Sequence, residues 1–253
     1  MKISRIMLLL AVPLLFSCLP KKPVLLGTEV PAGPLVEALE QQRRSLTSLK
    51  AVASLEIVRR GRRRAFDSVG VVFDDRRRLR LEAVGPLGMP IITLVWDDKE
   101  ITVRLPDGEI KKPGQAGLER ILGLGVEAQE LCAVLSGTAA GPALKDARAF
   151  CAKDGVCVVE VTAGDLVRHF SVSFPGPSSP AGRLIAQELF QGDHLLYRAR
   201  YEREYGNGRG PLPRTVIIEN PEKQVVLTLE YAEADINVPV AEEAFTLEGE
   251  HGP

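Results

Sequence analysis

Leu79-Arg80-Leu81-Glu82-Ala83-Val84-Gly85-Pro86-Leu87-Gly88 is the stretch on which the fold turns. Leu79, Leu81 and Ala83 alternate with Arg78, Arg80 and Glu82, a period of two that gives a strand one buried face and one wet face. Pro86 lacks a backbone donor and Gly85 and Gly88 bracket it, so the ladder stops in a tight turn. Leu87 and Met89 sit in that turn between Gly85, Pro86, Gly88 and Pro90, where they either protrude or cap the end of a core.

The same period extends in both directions. Strands are expected at 51–59, 64–73, 78–84, 91–96 and 100–105, joined by short polar or glycine-bearing turns as in an antiparallel meander. On the N-terminal side the period becomes helical: Leu35, Val36, Leu39, Leu46 and Leu49 lie opposite Glu40, Gln41, Arg43 and Arg44, with Pro34 suited to a first turn. On the C-terminal side, Leu118, Ile121, Leu122 and then Leu131, Val134, Leu135 fall at helical spacing around Gly123 and Gly125, predicting two short helices within 114–137. Strands resume at 156–161, 166–174, 183–190, 195–204, 214–219 and 224–231. The expected protein is mainly β with helices (α+β), a curved sheet of about eleven strands wrapped round the apolar stripes of three helices.

The chain has 253 residues, 45% of them hydrophobic, which excludes a disordered polymer and fits one large β domain. Lys2 and Arg5, the apolar run Ile6–Phe16 and Ser17 have the pattern of an export signal, too short to span a bilayer. Leu15-Phe16-Ser17-Cys18 resembles a bacterial lipobox, in which the cysteine becomes the first mature residue and carries acyl chains. Residues 1–17 are therefore expected to be a lipoprotein signal peptide, 18–34 a lipidated cysteine with a proline-rich tether, and 35–253 a single folded domain. The residue after Cys18 is Leu19, not the aspartate of an inner-membrane retention signal, so attachment to the outer membrane facing the periplasm is expected. Prolines at 20, 23, 31 and 34 keep the tether extended, with a reach of roughly 50 Å at about 3.1 Å per residue. Without residues 1–17 the chain carries 30 Lys+Arg against 33 Asp+Glu, a net charge of about −3, so overall charge gives no footprint for nucleic acid.

Three further cysteines remain. Cys151 and Cys157 bracket the hairpin signal Asp154-Gly155 and either bridge across it in an oxidising periplasm or stay reduced. Cys132 lies in the apolar stretch Leu131–Leu135 and reads as a buried thiol.

The residues 79–137 resemble the LolB family of outer-membrane lipoprotein receptors, and more distantly LolA, their periplasmic carrier. In that family a strand enters an Asn-Pro-Leu-Gly or Gly-Pro-Leu-Gly turn, here Gly85-Pro86-Leu87-Gly88. Two strands follow, then a helical insert ending in Leu-x-x-Trp-(Ile/Leu)-x-Gly, here Leu131 to Gly137 with Val134 in place of tryptophan. The segment Gln224–Tyr231 through Asn237 to Phe245 is similar to the family's closing strand and tail, while 139–180 is the least similar region. The resemblance implies an unclosed β-barrel with a helical lid over an apolar cavity that holds acyl chains. It also implies that Leu87, with Met89 beside it, is an exposed tip that passes lipid to the membrane. The implied partners are the outer membrane, lipoprotein or lipid acyl chains and a LolA-like carrier. The implied state is a monomer with no cofactor beyond the acyl chains on Cys18.

Arg59, Arg60, Arg62, Arg63 and Arg64 surround Gly61, and Arg76, Arg77 and Arg78 crowd a second turn. They form either a basic rim for anionic headgroups or an acidic partner, or solvated hairpin ends that prevent edge aggregation. His169, His194 and His251 lack metal-ligand spacing, and no Gly-x-Ser-x-Gly motif occurs, so neither catalysis nor a metal is expected. The functional expectation is a receptor that accepts lipoproteins from a carrier and delivers them to the outer membrane. The alternatives are a carrier of another lipid and an accessory lipoprotein of an envelope assembly that binds none.

Overall fold

The computed structural model describes residues 27–74, 78–173, 182–204 and 212–247. The signal and lipidation residues, including Cys18, and Arg76, Arg77 and His251 lie outside these. One fully antiparallel sheet dominates. Its strands are β1 (Thr28–Val30), β2 (Leu49–Arg59), β3 (Arg62–Phe73), β4 (Leu79–Val84), β5 (Pro90–Trp96), β6 (Ile101–Arg104), β7 (Ile110–Lys111), β8 (Arg148–Cys151), β9 (Val156–Ala163), β10 (Leu166–Ser173), β11 (Arg183–Gln191), β12 (His194–Glu204), β13 (Pro213–Asn220) and β14 (Val225–Ile236). The order across the sheet is β1-β8-β9-β10-β11-β12-β13-β14-β2-β3-β4-β5-β6-β7, so β1 and β7 are free edges and the barrel does not close.

The chain thus builds two meanders, β2 to β7 and β8 to β14, and joins them through the long β14–β2 pair, which runs from Val225 opposite Arg59 to Ile236 opposite Leu49. Fourteen strands replace the expected eleven. All eleven are present, and the additions are β1, β7 and β8, of three, two and four residues. Alternation cannot register over so few positions. These strands exist because a neighbour's unpaired backbone recruits them: β1 pairs with β8, β8 with β9, and β7 with β6. Thr28–Val30 lies within the segment read as a tether.

Three helices fill the concave side: α1 (Gly33–Ser45), α2 (Gly114–Leu122) and α3 (Ala128–Ser136). The first ends at Ser45, four residues short of the expected Leu49, for a reason 190 residues away in sequence. The Asn237 side chain accepts from the Thr47 amide at 2.9 Å and donates to the Ser45 carbonyl at 2.8 Å, releasing the chain into β2. In α3 seven of nine residues are buried, as expected of a helix that is apolar almost all round. It stops at Gly137, whose φ of 71° is left-handed and whose missing Cβ lets Pro213 approach. Leu131, Val134 and Leu135 join one core with Leu39 of α1, Leu118 of α2 and inward residues of both meanders.

The convex side is covered in part. After β14 the chain returns as a strap containing a 3-10 turn, Glu242–Phe245, and Phe245 and Leu247 pack on Val95 of β5 with Val72 of β3 alongside. Arg78 fastens it, donating to Asp74 and Glu242 and lying 4.4 Å over the Phe245 ring.

Candidate functional site

Strand direction places the β2–β3 and β4–β5 turns at the same end of the sheet, here termed the rim. On the concave face of the first meander, Leu55, Ile57, Phe66, Ile92 and Leu105 near the rim are only partly buried, and so is Leu81 farther in. Their neighbours Ala53, Val69, Val71, Ala83 and Leu94 are fully buried. Helix α2 stands over the rim end of this face and leaves its own Ile121 37% exposed. Two contacts hold the end of α2: Arg59 Nη1 donates to the Arg120 carbonyl at 3.1 Å, and Lys223 pairs with Glu119. The result is a band of apolar surface opening at the rim.

The β4–β5 turn projects beyond this band. Gly85 and Met89 close it by a backbone hydrogen bond of 2.9 Å, and Leu87 and Met89 are 87% and 66% exposed, so neither caps the core. The five arginines occupy the neighbouring β2–β3 turn. Arg59 lies opposite Arg62 and Arg64 opposite Ile57, so these three share the concave face. Arg63 is on the convex face, where it pairs with Glu56 at 2.6 Å. Sequence spacing identified both clusters; the structure brings them to one rim beside an apolar band.

Sequence reasoning missed a second constellation, on the concave face of the other meander. Arg168 of β10 donates to Glu130 of α3 through both terminal nitrogens, one at 3.2 Å, and Tyr197 of β12 donates to the same carboxylate at 3.4 Å. Glu130 is 3% exposed and Arg168 8%. Burial raises the Glu130 carboxyl and the Tyr197 phenol, and the Arg168 charge only partly offsets the first. Gly141 lies directly against the guanidinium, where a Cβ would sit 2.6 Å from Nε. The signal was available: Arg168 has the parity of Phe170 and Val172, which points it inward. Nearby, Gln187 binds the Ala140 amide at 3.0 Å and the Thr138 carbonyl at 3.2 Å, and Tyr231 donates to the Leu135 carbonyl at 3.1 Å. This network seats α3 on the sheet.

Two cavities flank α3 and share Gln129 and Gly141. One, of about 440 Å³, has Glu40, Arg43, Arg44 and Asp74 in its wall, and the other, of about 400 Å³, has Glu127, Glu130 and Arg168. The second is also lined by Leu144, Val161, Ala163 and Leu166, so charged groups share its wall with apolar ones. A further apolar surface of the concave side is the open band at the rim.

Cys151 and Cys157, directly opposed on β8 and β9, form a disulfide. Cys132 is buried on α3, with its sulfur 3.8 Å from the Arg78 carbonyl. Among the described residues no group of three or more His, Cys, Asp or Glu side chains is placed to hold a metal, and no helix is long and apolar enough to cross a membrane.

No family model matches the sequence, and no curated protein matches it. Solved structures do. A LolA superfamily protein from Nitrosomonas europaea is 13% identical, with 86% of this chain and 98% of that one aligned and a TM-score of 0.54. A DUF1329 family protein from Desulfovibrio piger is 12% identical over 85% and 97%, with a TM-score of 0.59. A Vibrio parahaemolyticus protein described as an outer membrane lipoprotein-sorting domain is 10% identical over 83% and 95%, with a TM-score of 0.57. The fold is therefore the LolA-like open barrel with helices on its concave side.

Proposed function

We propose that this chain is an envelope lipoprotein that holds acyl chains on the apolar band at the rim and hands them to a membrane. The carrying observation is the band itself: six partly buried apolar side chains on the concave face, continuous with the core and open beside Leu87 and Met89. Each methylene moved from water onto such a surface gains up to about 0.8 kcal/mol, so one acyl chain supplies several kcal/mol without a covalent step. The reading therefore asks for no catalytic residue and no cofactor. It follows the LolB-like resemblance in its particulars: residues 1–17 removed, Cys18 acylated and anchored in the outer membrane facing the periplasm, and cargo lipoproteins accepted from a LolA-like carrier. Monomeric action suffices for such a hand-over.

The test is the lipid content of the purified full chain, read by mass spectrometry. An acyl-bearing molecule is expected with wild type and lost in Ile57→Asp, whose thermal midpoint stays within a few degrees. Leu87→Glu is expected to keep the bound lipid but slow its transfer to vesicles. If wild type carries no lipid and takes up none, the reading gives way to that of an accessory lipoprotein.

A further inference from the structure

One face of the β2–β3 hairpin changes character along its length. Ala53 opposite Val69 is buried, Leu55 opposite Phe66 is half-exposed and apolar, Ile57 stands opposite Arg64, and Arg59 stands opposite Arg62 at the rim. The same surface thus passes from core to open apolar band to guanidinium within a few residue pairs. Arg62 and Arg64 are exposed and make no ion pair among the described residues, and Arg59 spends one donor on a backbone carbonyl of α2. Glu56, on the convex face, is taken by Arg63. Three cations on one face without a carboxylate among them are a repulsive arrangement, which a dianionic or monoanionic oxygen group relieves by accepting from several guanidiniums together.

We infer that this face binds an anionic amphiphile of the phospholipid class, with its acyl chain on Leu55, Ile57 and Phe66 and its phosphate between Arg59, Arg62 and Arg64. The inference rests on the acyl-binding reading above and adds the headgroup to it. Spacing favours one molecule over a flat membrane surface. Ile57 and Arg64 are direct cross-strand partners, with Cβ atoms about 5 Å apart, so one short amphiphile can lie on Ile57 while its phosphate meets the arginine side chains that extend from the same face.

The probes are 1-palmitoyl lysophosphatidylglycerol and 1-monopalmitoylglycerol, which has the same acyl chain and no phosphate, dispersed below their aggregation concentrations and titrated into the full chain, with bound lipid counted by native mass spectrometry. Wild type is expected to prefer the anionic probe by on the order of tenfold. Arg62→Ser with Arg64→Ser is expected to abolish the preference and leave binding of the phosphate-free probe unchanged, while Ile57→Asp loses both probes. Equal binding of the two probes by wild type overturns the headgroup inference and leaves the apolar-band reading standing; binding of neither overturns the reading beneath it. A preference that appears only with bilayer vesicles, or that inorganic phosphate alone abolishes, also overturns it, because the arginines would then read a surface or a free anion.

Discussion

The two meanders follow the same rule of alternation and put it to different use. In the second, β8 to β14, the concave face is filled: Val159, Phe170, Val172, Tyr197 and Ile218 are buried, and the Arg168–Glu130 pair and the Gln187 and Tyr231 hydrogen bonds fix α3 against them. In the first, β2 to β7, the corresponding face is left half-covered near the rim. One half of the sheet is a seat for a helix, and the other keeps apolar surface open near the rim. A sheet without closure permits this division, because the two halves are joined only along the β14–β2 pair.

The buried pair gives the largest expected effect. Arg168→Ala removes one charge and strands Glu130 in the interior, at a cost of about 3–5 kcal/mol, whereas Arg168→Met combined with Glu130→Leu recovers most of it because no uncompensated charge remains. Urea denaturation of the three chains measures both values. A loss below about 1 kcal/mol in the single variant would mean that the pair does not seat α3.

A smaller effect, the difference between two truncations, tests the contrast itself. Phe170 and Phe66 are both inward-facing strand residues, one 1% exposed in the second meander and the other only partly buried in the first. Phe170→Ala is expected to cost about 3–5 kcal/mol and Phe66→Ala roughly half as much, since the wall of an open band loses less burial and leaves no closed void. Equal costs would erase the distinction between filled and open halves.

How far the sequence disclosed this division follows from the range over which its signals act. Leu79 to Gly88 contained its strand and turn because alternation and turn chemistry are local, and the same holds for the other ten expected strands. The basic cluster and Leu87 were legible as clusters for the same reason. Their meeting at one rim was not, since it depends on the direction of strands that pair across the sheet. The end of α1 was misread because Asn237 sets it from the far end of the chain. Arg168 was passed over although its parity pointed inward, because its partner lies 38 residues away on a helix. The apolar band, in turn, is defined by what fails to cover it.

The convex faces differ as well, and they yield the smallest of the expected effects. Over the first meander lies the apolar strap of Phe245 and Leu247; over the second, cross-strand neighbours form an ionic row in which His169 Nε2 is 2.9 Å from Glu160 and Arg198 Nε donates to Glu188 at 2.5 Å. Burial alone would raise the Glu188 carboxyl, but neighbouring His169 and the Arg198 guanidinium outweigh it and hold the group below its ordinary value. The unfolded chain then takes up this proton at a higher pH than the folded chain, so the stabilisation is present above about pH 4.5 and is lost as pH falls. Glu188→Gln is therefore expected to be less stable than wild type at pH 7 by under about 1 kcal/mol, a partly solvated pair being worth little more. The gap should shrink as acidification proceeds below about pH 4.5 and wild type takes up the same proton. Denaturation midpoints of both chains at several pH values measure it. A gap that persists at low pH would trace the loss to packing of the longer-lived neutral contacts and would remove electrostatics from what distinguishes the two convex faces.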